Sequence, residues 1–181
     1  MHSPNSEVIM TLDIGITIDA PSCWIVAYGN PQRGDDGIGR LVARELRRHF
    51  EQVQDVGIRS VHQLDMALLE EVQSADTLIF VDACLDELRD DVQWSRIKPE
   101  LNGWAMGSHH LYPKVFVGLL QLLYNRSPSA WMVSVQGHVF DLIEALTPEA
   151  RRSAEKAAVQ IVDWLFKQNI ALPHKKIEKE D

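Results

Sequence analysis

Apolar residues recur along this chain with two different periods. Trp24 to Tyr28 is an unbroken apolar run, the pattern of a strand buried on both faces of a parallel sheet. Ile38, Leu41, Val42, Leu46 and Phe50 then recur at helical spacing and predict a helix from Asp36 to Phe50. Gly57 to Leu64 alternates loosely through Ile58 and Val61 and reads as a second strand. Met66, Leu68, Leu69 and Val72 predict a helix ending near Ala75. Thr77 to Val81 is the strongest strand signal, dense in β-branched and aromatic residues, and it ends at Asp82. Residues 91–98 alternate and fit an edge strand. Val115, Phe116, Leu119, Leu120, Leu122 and Leu123 mark another helix, and Trp131 to Val135 a further strand. Thr147 and Pro148 supply a cap and a first-turn proline for a last helix, with Ala154, Ala157, Ala158, Ile161, Val162 and Leu165 inward.

Strands alternating with helices predict an α/β fold. The expected form is a three-layer sandwich, a twisted and mostly parallel sheet with helices on both faces. A chain of 181 residues suits one domain with a sizeable core. The division expected is an N-terminal extension over 1–22, a single α/β domain over 23–170 and a charged tail over 171–181.

Charge and cysteine content narrow the classes. A net charge of −8 argues against a nucleic-acid surface, which needs a basic patch. No apolar run reaches the length of a membrane span. Met1 to Ser22 lacks a basic start, and Asp13 interrupts its apolar stretch, so a signal peptide is not expected. Cys23 and Cys84 have neither zinc spacing nor a disulfide framework. The cytoplasm is the default expectation.

The chemistry concentrates in Gly29-Asn30-Pro31-Gln32-Arg33-Gly34-Asp35-Asp36-Gly37-Ile38-Gly39. This turn follows the first strand, and in an open α/β sheet ligands bind at the carboxyl ends of the strands. Asp35 and Asp36 follow strand one, Asp82 ends strand three, and His109 and His110 precede a later helix. If strands one and three are neighbours, Asp36 and Asp82 meet, with a histidine brought in from the long loop. Two carboxylates and an imidazole suit a borderline transition metal better than magnesium. Each residue also has a plainer reading: Asp36 as a helix cap, Asp82 as a turn cap, and the histidines as solvated loop residues. A phosphate loop is rejected, because Asp35 stands where its lysine belongs. The glycines miss the dinucleotide spacing, and no G-x-S-x-G element is present. Cys84 is a possible nucleophile, but a small cysteine beside a buried strand is more often core. The five tryptophans read as scattered packing residues.

Gly29-Asn30-x4-Asp35-Asp36-Gly37-x-Gly39, then Phe80-Val81-Asp82-Ala83, then Ser108-His109-His110-Leu111, resemble the hydrogenase maturation endopeptidases in order and spacing. The likeness extends through His62-Gln63-Leu64 and Leu146-Thr147-Pro148 and covers residues 24–168. The resemblance implies a hydrolase, a protease that removes the C-terminal extension of a nickel-iron hydrogenase large-subunit precursor after nickel insertion. It implies a metal-contacting and catalytic triad of Asp36, Asp82 and His109, with His110 as the alternative histidine and Asp35 in support. The implied metal is nickel supplied by the precursor, with no organic cofactor, and the implied partner is that precursor rather than nucleic acid or a membrane. Pro31-Gln32-Arg33 is more polar than the family's pattern there. Two other readings stand beside this one: a non-catalytic nickel-sensing or carrier module, and an unrelated metal-dependent hydrolase with an enclosed pocket at the Asp36–Asp82 edge.

Overall fold

The structure, a computed structural model, describes residues 20–101 and 111–170. Its elements run β1 (Cys23–Tyr28), a 3-10 turn (Gly34–Gly37), α1 (Ile38–His49), β2 (Val56–Val61), α2 (Met66–Val72), β3 (Thr77–Cys84), β4 (Val92–Arg96), α3 (Pro113–Tyr124), β5 (Ser129–Gln136) and α4 (Pro148–Lys167). The five strands form one sheet in the order β2-β1-β3-β5-β4. All neighbours are parallel except β4, which pairs antiparallel with β5 at the edge.

Side-chain alternation along the strands divides the core into two layers. Cys23, Ile25 and Ala27 of β1, with Ile79 and Val81 of β3, pack beneath α1 and α4. Trp24 and Val26, with Leu78 and Phe80, pack beneath α2 and α3 on the opposite face. Phe80 meets Phe116 of α3 edge to face, with ring centroids 5.5 Å apart. Each such fully buried side chain contributes about 1.5–3 kcal/mol through removal of apolar surface from water. Burial on both faces is why β1 reads as an unbroken apolar run.

Differences from the sequence reading have local causes. The first helix begins at Ile38, because Gly34 to Gly37 closes a 3-10 turn before it. β3 continues past Asp82 to Cys84, held by pairing of residues 82–84 with Ser134 to Gln136 of β5. Leu122 and Leu123 are exposed on the outer face of α3. Three of the tryptophans are not scattered: Trp94, Trp131 and Trp164 gather beside the β4 edge, with centroids 5.7–6.4 Å apart. No helix among the described residues is long and apolar enough to cross a membrane.

This topology has a switch point. The chain leaves β1 for α1 on one face and reaches β2, then crosses by α2 on the other face to β3. The connections therefore diverge between β1 and β3, opening the sheet's carboxyl edge where an α/β fold binds ligands.

Candidate active site

The turn after β1 is shaped by glycine. Gly29 has φ +138°, and a Cβ there would lie 2.1 Å from the Asp36 carbonyl oxygen. Gly34 has φ +55°, and a Cβ there would lie 2.5 Å from the Val139 carbonyl oxygen. Both positions need positive φ and close backbone approach, which only glycine supplies without strain. The loop is thereby folded back upon its own acidic end.

Asp36 is half-buried, and its Oδ2 accepts the Asn30 backbone N–H at 2.9 Å. The Asn30 side chain in turn accepts from the Gln32 N–H at 2.9 Å, which holds the preceding turn. Among the described residues, Oδ1 of Asp36 receives no hydrogen bond.

Asp82 lies one residue beyond the Ala27–Val81 pair of the β1–β3 register, beside Tyr28. Burial pushes its carboxyl up to about 7; Tyr28 pulls in the other direction, the nearby charge of Asp36 adds to the rise, and the Ala83 N–H again opposes it. Burial, and then the Asp82 charge beside it, raise the Tyr28 phenol well above its ordinary value. The structure therefore brings Asp36 and Asp82 together, with Tyr28 against Asp82. Tyr28 escaped the sequence reading, although a phenol ending a buried strand just before a glycine turn is a legible signal.

Asp35 points elsewhere. It is 0 % exposed. Its Oδ2 accepts the backbone N–H groups of His138 at 2.9 Å and Val139 at 3.0 Å, and the Thr147 hydroxyl at 2.9 Å. Its Oδ1 accepts the Thr147 N–H at 2.7 Å. Burial raises its pKa, but these four donors outweigh burial and hold it below the usual value. The adjacent acids are thus turned to different work, Asp35 to the loop between β5 and α4 and Asp36 toward β3.

Arg33 donates to the Phe140 carbonyl at 3.4 Å from an exposed position. Cys84 is half-buried near the Asp86 carbonyl, whereas Cys23 is buried, its thiol pushed up to about 12 by burial and the Asp55 charge. His62 is exposed. His109 and His110 lie outside the described residues, as do 1–19 and 171–181. Leu111, which follows His110, forms an antiparallel bridge with Leu64, two residues after His62. Among the described residues no three of His, Cys, Asp and Glu gather into a metal-binding group.

No family model matches this chain, and no curated protein matches it. Solved structures do. The hydrogenase maturating endopeptidase HybD of Escherichia coli is 22% identical, over 81% of this chain and 93% of its own, with a TM-score of 0.65. The NiFe hydrogenase maturation protease HycI of Thermococcus kodakarensis is also 22% identical, over 80% and 92%, with a TM-score of 0.63. HybD of the same archaeon is 21% identical, over 79% and 97%, with a TM-score of 0.62. The chain shares the fold of these proteins over most of its length, as the order of strands and helices leads one to expect.

Proposed function

We propose that this chain is an endopeptidase of nickel-iron hydrogenase maturation, cutting a C-terminal extension from a large-subunit precursor once nickel is in place. The observation that supports this reading is the pairing of Asp36 and Asp82 at the β1–β3 switch point, in a fold it shares with hydrogenase maturation proteases. Asp36 and Asp82, with His109 as the third group, would contact nickel carried by the precursor. His110 is the alternative histidine.

The chemistry of the pair fits a cation that arrives with the substrate. Two neighbouring carboxylates repel each other when both are ionised, and this repulsion adds to the burial that keeps Asp82 near 7. A divalent ion between them removes that repulsion, and its arrival displaces the Asp82 proton. Recognition of nickel-loaded precursor therefore needs Asp82 ionised. Nickel-free precursor brings no cation to the pair, so ligand count works as a checkpoint before the peptide bond is hydrolysed. Hydrolysis adds the oxygen of water to the carbonyl carbon, breaks the C–N bond and leaves the amine protonated.

The test is intact-mass analysis of purified large-subunit precursor incubated with the protein, loaded with nickel or free of it. Loss of one C-terminal peptide only from loaded precursor is the expected result. An uncut loaded precursor, together with tight nickel binding by this protein alone, would favour the carrier reading instead.

A further inference from the structure

A basic groove lies beside the acidic turn, in a chain that is acidic overall. It has a volume of about 600 Å³ and runs from Pro31 and Gly37 along α1, bounded across from that helix by residues 144–146 and Arg151. Arg40, Arg44, Arg47 and Arg151 line it, against the single carboxylate of Glu144. All four arginines are exposed. Arg44 pairs with Glu45 at 3.1 Å, and Arg47 donates to the Ile58 carbonyl at 3.4 Å. Arg40 and Arg151 have no side-chain hydrogen bond or ion pair among the described residues.

Helix stability does not account for these two. Arg47 sits in the last turn of α1, where a cation suits the helix dipole. Arg40 and Arg151 sit instead in the first turns of α1 and α4, where the dipole disfavours positive charge. Two guanidiniums set against the dipoles of their helices, both lining one groove and neither paired within the described residues, leave their charge open to an anionic ligand.

We propose that this groove docks an acidic polypeptide segment, with carboxylates at alternate positions, of the protein on which the Asp36–Asp82 site acts. The proposal rests on the protease reading for the identity of that protein. Its chemistry comes from the spacing: Arg40 and Arg44 are separated by about 6 Å of helix rise, and alternate side chains of an extended peptide by about 6.6 Å. An extended segment therefore presents one carboxylate to Arg40 and the next to Arg44, whose Nε and Nη2 also hold Glu45, and planar pairing with guanidinium selects carboxylates. Arg151 closes the opposite wall. A net charge of −8 on the whole chain disfavours nucleic acid as the occupant. The groove begins at the turn that carries Asp36, so a segment held there tethers the substrate next to the site.

The experiment is fluorescence anisotropy on the full chain with a labelled peptide bearing glutamate at alternate positions. A peptide with lysine at those positions and an unstructured RNA serve as comparison probes. Saturable binding of the glutamate peptide is expected, weakened at least tenfold in Arg40→Glu/Arg151→Glu and by several-fold in the milder Arg40→Gln/Arg151→Gln. Added salt should weaken it. Circular dichroism establishes that the variants are folded. Absence of binding, equal binding by the folded double variants, or tighter binding of RNA would overturn the proposal. Cleavage of nickel-loaded precursor without peptide binding would remove this inference alone, while peptide binding without cleavage would remove the protease reading and leave the groove standing.

Discussion

The Asp35 carboxylate accepts both the backbone N–H and the hydroxyl of Thr147, at 2.7 and 2.9 Å, across 112 residues of chain. Thr147 is at the same time the N-cap of α4, its hydroxyl oxygen accepting the Ala150 N–H at 3.1 Å. One hydroxyl thus links the turn after β1 to the start of the last helix. This clasp sets the position of the turn, and with it the neighbouring Asp36.

Asp35→Ala leaves three backbone N–H groups and a hydroxyl without their acceptor in a buried place. The expected cost is about 3 kcal/mol, or roughly 6–12 °C in a chain of this size. Thr147→Val removes the cap and one of the four donors, so its loss should be smaller, about 1–2 kcal/mol. Because the folded Asp35 is held below its ordinary value, its contribution is present above about pH 4 and is lost as pH falls through the depressed value. Thermal denaturation of both variants at pH 7 and pH 3 checks the order and its narrowing in acid.

Asp82 carries the opposite sign. Its folded pKa of about 7 lies above the unfolded one, so its stabilising proton is fully bound below about pH 4 and is lost as pH rises through about 7. Asp82→Asn should therefore raise Tm relative to wild type at pH 8 and do so much less at pH 5. The difference between the two pH values corresponds to about 1–2 kcal/mol for this half-buried group. Melting curves in chelator at both pH values provide the check, and an offset independent of pH would contradict it. In the cleavage assay the same ionisation makes kcat/KM fall as pH drops below 7.

Gly29→Ala tests the turn. The added Cβ would stand 2.1 Å from the Asp36 carbonyl oxygen at φ +138°, so the loop must shift and take Asp36 with it. We expect a stability loss of about 1–3 kcal/mol together with at least a tenfold loss of precursor cleavage. Restored cleavage in a variant that remains destabilised would separate the two effects and contradict this account of the turn.

Local pattern carried much of this structure. The inward faces of α1 and α4, the two-sided burial of β1 and the Thr147 cap all follow from residues a few positions apart. The meeting of Asp36 and Asp82 was legible only as a condition, because alternating strands and helices predict a parallel sheet without fixing its strand order, and the pairing of β1 with β3 meets that condition. The rest depends on contacts between distant segments that no periodicity encodes. Asp35 reaches residues 138, 139 and 147, and the tryptophan cluster joins β4, β5 and α4. Two adjacent aspartates look alike in a sequence, and only the β5–α4 loop distinguishes the buried clasp from the acid that faces β3. The arginines of the groove were invisible for the same reason, since Arg40 and Arg151 come to line one groove only when α1 and the start of α4 pack together.

The most direct measurement compares wild type, Asp36→Ala and Asp82→Asn on nickel-loaded precursor by intact mass. Wild type should release the C-terminal peptide, and each folded variant should leave the precursor at full mass or slow its cleavage at least tenfold, by analogy with the 10–100-fold effects of outer-shell changes at metal sites. Cleavage by both variants at the wild-type rate would show that the paired aspartates are not the site and contradict the account.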